Sequence, residues 1–260
     1  MISIRNVVKT FGKLRALDGV TVDFHPGKSY ALIGPNGSGK TTLIKSVLGM
    51  VIPTSGDIVV DKEPVKNHWH YREKIGYMPQ IGRYPDNMRI GQLFEMMRNI
   101  RKNPPLPDEE LIDAFRLHQI IDKRMHTLSG GTRQKVSAAL AFMFNPPILF
   151  LDEPTAGLDP VSVELLKDKI QKEKEAGRLL IITSHIMSDL DDLATEVVYL
   201  QEGRIRYNNT IEELKDITGE GKLGKAMAKM IRGLEHEKQS KHPPVSPLEG
   251  GTGSVRIKTG

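Results

Sequence analysis

Apolar and polar positions alternate at the start of the chain with a period of two. Residues 2–9 (ISIRNVVK), 20–24 (VTVDF) and 29–34 (SYALIG) read as short strands, separated by the turn-like stretches 11–19 (FGKLRALDG) and 25–28 (HPGK). Tyr30 to Ile33 is an unbroken apolar run stopped by Gly34, as expected of a strand buried on both faces. The spacing then changes. TTLIKSVLGM (41–50) has helical periodicity ending at Gly49, and a strand pair around DIVVDKEPV (57–65) follows the turn PTSG. Ile90, Leu93, Phe94, Met97 and Ile100 lie on one face of a helix over 89–100. After the breaker NPPLP, further helices are expected over 108–121 and 132–144. ILFL (148–151), LLIIT (179–183) and VVYL (197–200) are buried strands with helices between them. Mixed strands first and strand–helix alternation later imply an α/β sheet with a helical insertion.

From about residue 221 the texture changes. GEGKLGKAMAKMIRGLEHEK suggests a basic helix over 221–239, and the Pro-, Gly- and Ser-rich end, 240–260, is expected to be disordered. Composition bears on this division. The 260 residues hold 37 Lys and Arg against 32 Asp and Glu, a net charge of +5. Residues 221–260 alone hold eight bases and three acids, which is the whole excess. Residues 1–220 are neutral, so the basic balance is no argument for a nucleic-acid partner, and the tail is expected to be a solvated charge run. Cysteine is absent, which removes disulfides, thiolate metal ligands and thiol nucleophiles and suits a reducing compartment. No apolar run reaches the roughly 18–20 residues of a membrane helix, so a soluble cytoplasmic chain is the expectation.

Candidate chemistry begins at GPNGSGKTT: Gly34, Pro35, Asn36, Gly37, Ser38, Gly39, Lys40, Thr41 and Thr42. It lies between a strand and a helix, where glycines let backbone N–H groups curl around phosphate oxygens and the helix directs its positive end at them. Lys40 would bridge the β- and γ-phosphates, and the Thr41 hydroxyl would ligate Mg²⁺. ILFLDEP ends an apolar strand in Asp152, a second Mg²⁺ ligand, and Glu153 follows where a base could address an attacking water. Ser129, Gly130 and Gly131, in LSGG, offer an N-cap hydroxyl and bare N–H groups, an anion site at a second helix start. His68-Trp69-His70 has a metal-like spacing but no third ligand nearby.

With LSGG upstream of ILFLDEP and Lys40 upstream of both, the chain resembles an ABC-type ATPase over about residues 2–215. The resemblance implies a P-loop NTPase with a RecA-like core, an N-terminal antiparallel β subdomain and a helical subdomain inserted at about 85–135, together filling residues 1–220. It makes Gln80, in IGYMPQ, a residue sensing Mg²⁺ and water, and Asp159, in AGLD, part of a loop at a dimer interface. It makes His185 a partner of the γ-phosphate. Phe11 falls where the family puts an aromatic that stacks on adenine, although an aromatic beside a turn can equally serve packing.

The family pattern further implies two ATP molecules sandwiched in a head-to-tail dimer, most simply a homodimer, with Ser129 reaching the γ-phosphate held by the other subunit. Thr132 replaces the glutamine usual after LSGG, which puts side-chain contact across that interface in question. An integral membrane permease subunit is the implied partner, docked beside Gln80 and residues 85–127, with Met88, Phe94, Met96 and Met97 as candidates. This would hold the chain peripherally at the cytoplasmic face of the inner membrane. GTRQKVSAALAFMF and TAGLDP look most like exporter-type subunits, and more narrowly like ATPases of copper-processing systems that mature nitrous-oxide reductase. The alternative is a regulatory or mechanical ABC ATPase bound to a membrane protein without transport. DNA-maintenance ATPases with the same head need a long coiled coil between Lys40 and Ser129, for which there is no room.

Overall fold

Two sheets carry the chain in this computed structural model, which describes residues 1–101 and 106–241. The first is antiparallel, in the order β2 (Leu14–Phe24), β1 (Ile2–Phe11), β4 (Ser55–Val60) and β5 (Glu63–Pro64). The second has the order β10 (Arg204–Thr210), β9 (Glu196–Gln201), β3 (Ser29–Ile33), β8 (Leu179–Thr183), β7 (Ile148–Asp152) and β6 (Ile75–Met78). Its strands are parallel except β10, which pairs antiparallel at the edge.

The period of two along the parallel strands feeds two cores. Tyr30, Leu32, Phe150, Ile181 and Val198 face the first sheet, with Leu43, Ile44 and Val47 of α1 (Lys40–Val47) and with Ile2, Ile4, Val20 and Phe24. Ala31, Ile33, Leu149, Leu151, Ile182 and Val197 face the other way, onto the remaining helices. Those helices are α2 (Ile90–Ile100), α3 (Glu110–Ala114), α4 (Gly130–Phe142), α5 (Pro160–Glu175), α6 (Met187–Leu193), α7 (Ile211–Thr218) and α8 (Leu223–Lys241). The fold is the mixed α/β cassette expected, with an antiparallel β layer and an added helical part between β6 and β7.

Several elements depart from the sequence expectations. Most of the stretch read as a turn over 11–19 is strand, because β1 and β2 close through Gly12-Lys13, with Gly12 at φ 56°. The helix expected over 108–121 breaks after α3: Arg116 is left-handed at φ 53°, and a 3-10 turn over Leu117–Ile120 follows. That break lets Leu111, Ile112, Phe115 and Leu117 all reach the core. Phe94 is only 3% exposed and belongs to the core rather than to a docking surface; Met88, Met96 and Met97 are half-buried against it.

The basic helix is also more than an appendage. Leu223, Ala226 and Met227 of α8 are buried in the same core as the sheet, the Leu223 N–H donates to Asp191 Oδ2 (3.0 Å), and Lys229 Nζ donates to the Thr218 carbonyl (2.6 Å). Its first turns are therefore part of the body. The disorder expected over 240–260 falls almost wholly outside the described residues, which end at 241. Among the described residues no helix is long and apolar enough to cross a membrane.

Candidate active site

The β3–α1 connection makes its turn with glycine where no other residue fits. Gly39 has φ 109°, and a Cβ there would stand 2.5 Å from the Ala16 carbonyl oxygen; a Cβ on Gly34 would stand 2.1 Å from that of Leu200. Gly39 is also the N-cap of α1 and supplies no capping side chain, so the first-turn N–H groups stay open to an anion. Lys40 folds back over the loop, donating from Nζ to the carbonyls of Gly34 (2.6 Å) and Pro35 (3.2 Å). Burial pushes its ammonium below the usual lysine range, against the pull of Glu153 and Asp152.

One cleft joins this loop to the other candidates. Phe11, Leu14 and Ala16, the loop from Asn36 to Thr42, and Gln80, Asp152, Glu153 and His185 line it together. The grouping follows from topology: β3, β7 and β8 are parallel neighbours, so the residues after their C-terminal ends meet at one edge of the sheet. Glu153 is strained, at φ 53°, and 8% exposed. Its Oε1 lies 3.4 Å from His185 Nε2, and its Oε2 accepts from the His185 backbone N–H (3.2 Å). Beside Asp152, Tyr77 is pushed up to about 12, by burial first and then by the carboxylate's charge.

These residues suit a nucleoside triphosphate and a hard cation. Ser38 Oγ is buried in the loop without a hydrogen-bond partner, as a phosphate-binding hydroxyl would be before its ligand arrives. Thr41, Gln80 and Asp152 offer a hydroxyl, an amide and a carboxylate, the oxygen-donor set that Mg²⁺ takes.

Gly34 and Pro35 precede the lining loop, as acceptors of Lys40, and four further candidates lie elsewhere. Ser129, Gly130, Gly131 and Asp159 do not line this cleft. Ser129 caps α4, its Oγ accepting from the Thr132 N–H (3.2 Å) and sharing a 2.9 Å hydrogen bond with the Thr132 hydroxyl. Thr132 thus braces the cap within its own chain. A Cβ on Gly131 would stand 2.7 Å from the Gly157 carbonyl oxygen, so the LSGG and AGLD segments pack directly together. Asp159 caps α5 through the Ser162 N–H (3.0 Å) and pairs with Lys135 (2.7 Å); Lys135, then Ser162, hold its carboxyl well below the usual range. Sequence reasoning singled out neither Lys135 nor Thr183. Thr183 ends β8 opposite Asp152, at 0% exposure. The signal for it was available: like Asp152, it is a polar residue closing an apolar strand.

The parallel sheet, the glycine loop at a helix start and the acid-ended neighbouring strand define a P-loop nucleotide-binding protein. The family model described as "ABC transporter" matches residues 17–156, more than half of the chain. The uncharacterized ABC transporter ATP-binding protein YhaQ of Bacillus subtilis is 34% identical over 219 residues, which is 83% of this chain and 73% of that one. The lantibiotic transport ATP-binding protein SrtF of Streptococcus pyogenes is 34% identical over 214 residues, 79% of this chain and 89% of that one. A solved ATP binding subunit of an ABC transporter superposes with a TM-score of 0.82 at 24% identity, over 89% of this chain and 99% of its own; at that identity it speaks for the fold. The chain belongs to the ABC transporter family, as its ATP-binding ATPase component.

Proposed function

We propose that the cleft binds ATP with Mg²⁺ and hydrolyses it, and that two copies close head to tail around two ATP molecules to drive a separate membrane permease. The observation that carries this reading is the meeting of Lys40, Asp152, Glu153 and His185 in one cleft. Lys40, released from the Gly34 and Pro35 carbonyls, would turn to the β- and γ-phosphates, with the open N–H groups of α1 beside it. Thr41, Gln80 and Asp152 would hold Mg²⁺, which when bound supplies charge neutralisation at the phosphate oxygens. Glu153 would take the proton of the attacking water as its oxygen bonds to the γ-phosphorus and the bond to the ADP oxygen breaks. His185 steadies that carboxylate and faces the γ-phosphate. Ser129 caps α4 and lies, with its neighbouring N–H groups, outside its own cleft, which suits a γ-phosphate brought by a second copy. Asp159 would stand at the same dimer interface.

The membrane subunit would hold the chain at the cytoplasmic face of the inner membrane, against half-buried Met88, Met96 and Met97 and the exposed Ile81 and Ile100. For its cargo, the resemblance around LSGG supports a copper-processing exporter, in which this chain supplies energy rather than handling metal.

Lys40→Ala tests the cleft itself. Losing a charge-assisted contact to phosphate costs about 1.5–3 kcal/mol, so ATP affinity should fall roughly 10- to 150-fold in equilibrium binding. Unchanged affinity would remove the reading. A substitution at Phe11 tests base binding apart from phosphate binding. The Phe11 ring is 48% exposed, more than a packing role needs, and Lys9 Nζ lies 4.9 Å from the centroid. A base–aromatic stack is worth ~1–3 kcal/mol, so Phe11→Ala should weaken ATP binding about 5- to 150-fold. Inorganic tripolyphosphate, which has no base, should bind as to the parent protein; equal losses for both ligands would assign the ring to packing.

A further inference from the structure

Asp152 and Glu153 are adjacent in sequence but do different work, so something must hold each at its own angle. The strand pairing sets Asp152 opposite Thr183. The Thr183 hydroxyl, fully buried, lies 2.6 Å from Asp152 Oδ1 and 3.0 Å from the Glu153 backbone nitrogen. The direction of this chain of hydrogen bonds is fixed by chemistry. A backbone N–H can only donate and an ionised carboxylate can only accept, so the hydroxyl accepts from Glu153 and spends its single proton on Asp152. One oxygen of Asp152 is thereby tied down; the other has no hydrogen-bond partner among the described residues. The same hydroxyl grips the strained residue: the Glu153 N–H is shared between Thr183 Oγ1 and the Thr183 carbonyl (3.1 Å), where φ is 53°.

We propose that Thr183 is a positioning residue that orients Asp152 toward the cation site and fixes the backbone carrying Glu153. This rests on the reading of the cleft as an ATP and Mg²⁺ site. Three properties separate the role from that of an ordinary strand-end threonine. The hydroxyl is inaccessible to water, it touches no ligand-facing surface itself, and both of its bonds go to the two acids that face the cleft. A hydrogen bond to a metal-ligating carboxylate typically changes metal affinity or activity by ~10- to 100-fold.

The test compares Thr183→Val, which keeps the branched shape and loses the hydroxyl, with Thr183→Ser, which keeps the hydroxyl. Thr183→Ala serves as a second hydroxyl-free variant should valine compromise folding. Mn²⁺ is titrated into each full-length protein with a non-hydrolysable ATP analogue, and free Mn²⁺ is read by electron paramagnetic resonance. ATPase activity against Mg²⁺ concentration and analogue affinity in chelator are measured alongside. The hydroxyl-free variants should bind Mn²⁺ ~10-fold or more weakly and need correspondingly more Mg²⁺, with kcat also reduced. Their analogue affinity in chelator should match the parent's, and Thr183→Ser should restore the metal response. Parent-like Mn²⁺ affinity in the valine variant, or a serine variant as defective as valine, overturns the proposal. A parent protein whose bound analogue recruits no Mn²⁺ overturns the metal reading of the cleft as well, so the two failures are distinguishable.

Discussion

Glu153→Gln should bind ATP as tightly as the parent and turn it over about 10²- to 10⁴-fold more slowly, the range for loss of a general base. The substitution leaves the architecture alone. The backbone at φ 53° carries either residue equally, and the Thr183 contacts engage the main chain rather than the carboxyl group. An amide oxygen can still accept from the His185 backbone N–H, now 3.2 Å from Oε2. What disappears is the basic oxygen for water's proton and one negative charge near Lys40, whose ammonium Glu153 favours. Removing that charge leaves Lys40 freer to serve phosphate, so affinity is preserved while chemistry stops. With hydrolysis blocked, ATP should accumulate a dimer on size exclusion that Lys40→Ala does not form. Parent-like turnover in single-turnover assays would exclude Glu153 as the base.

Legibility in the sequence followed how directly each residue type reports its environment. Gly34 to Thr42 could be read because strand, glycines and helix must succeed one another for the turn to form, and Asp152 because a carboxylate ending an apolar strand is an anomaly. Thr183 ends an equally apolar strand, but threonine is itself a strand former, so its hydroxyl passes as propensity. The edge strand β10, RIRYNNT, has mostly half-buried positions and one long polar run, which hides its alternation. The break at Arg116 depends on four apolar side chains converging on one core, a tertiary demand that overrides helical periodicity. The packing of α8 is hidden for a related reason: its buried face consists of Leu223, Ala226 and Met227, interleaved with lysines that stay outside. Asp159 reads in the sequence as part of a loop at a dimer interface; within its own chain it caps α5 and pairs with Lys135.

Lys169→Met should destabilise the fold by about 3–5 kcal/mol, the cost of removing one partner from a buried ion cluster. For a chain of this size that corresponds to a melting temperature lower by roughly 6–20 °C. In sequence Lys169 sits in KDKIQKEKE, which reads as a solvated helix face. In the fold its side chain is 6% exposed, with Nζ 2.5 Å from Asp108, 3.0 Å from Glu110 and 3.0 Å from Glu173. Asp108 and Glu110 belong to the segment entering α3, whereas Lys169 and Glu173 belong to α5, so one ammonium ties the helical part to the sheet-bound helix. Burial lowers the lysine's pKa, but the hydrogen bonds it donates to Asp108, Glu173 and Glu110 outweigh it, and the net shift is upward. A raised lysine contributes its full stability below its unfolded pKa, roughly 10.4, and loses it only as pH climbs through the folded value, so the contribution is intact at neutral pH. Acid acts on the carboxylates instead. Glu110 is held below its usual range, chiefly by Lys172, and its contribution is lost as pH falls through that lowered value. In the methionine variant Glu110 loses the part of that lowering that Lys169 supplies, while Glu173 keeps Arg178 (3.4 Å). The gap in melting temperature between the two proteins should therefore narrow below about pH 5, towards ordinary carboxylate pKa values. A gap that stays constant from pH 7 to pH 4 would mean that Lys169 acts through the packing of its stem, not its charge.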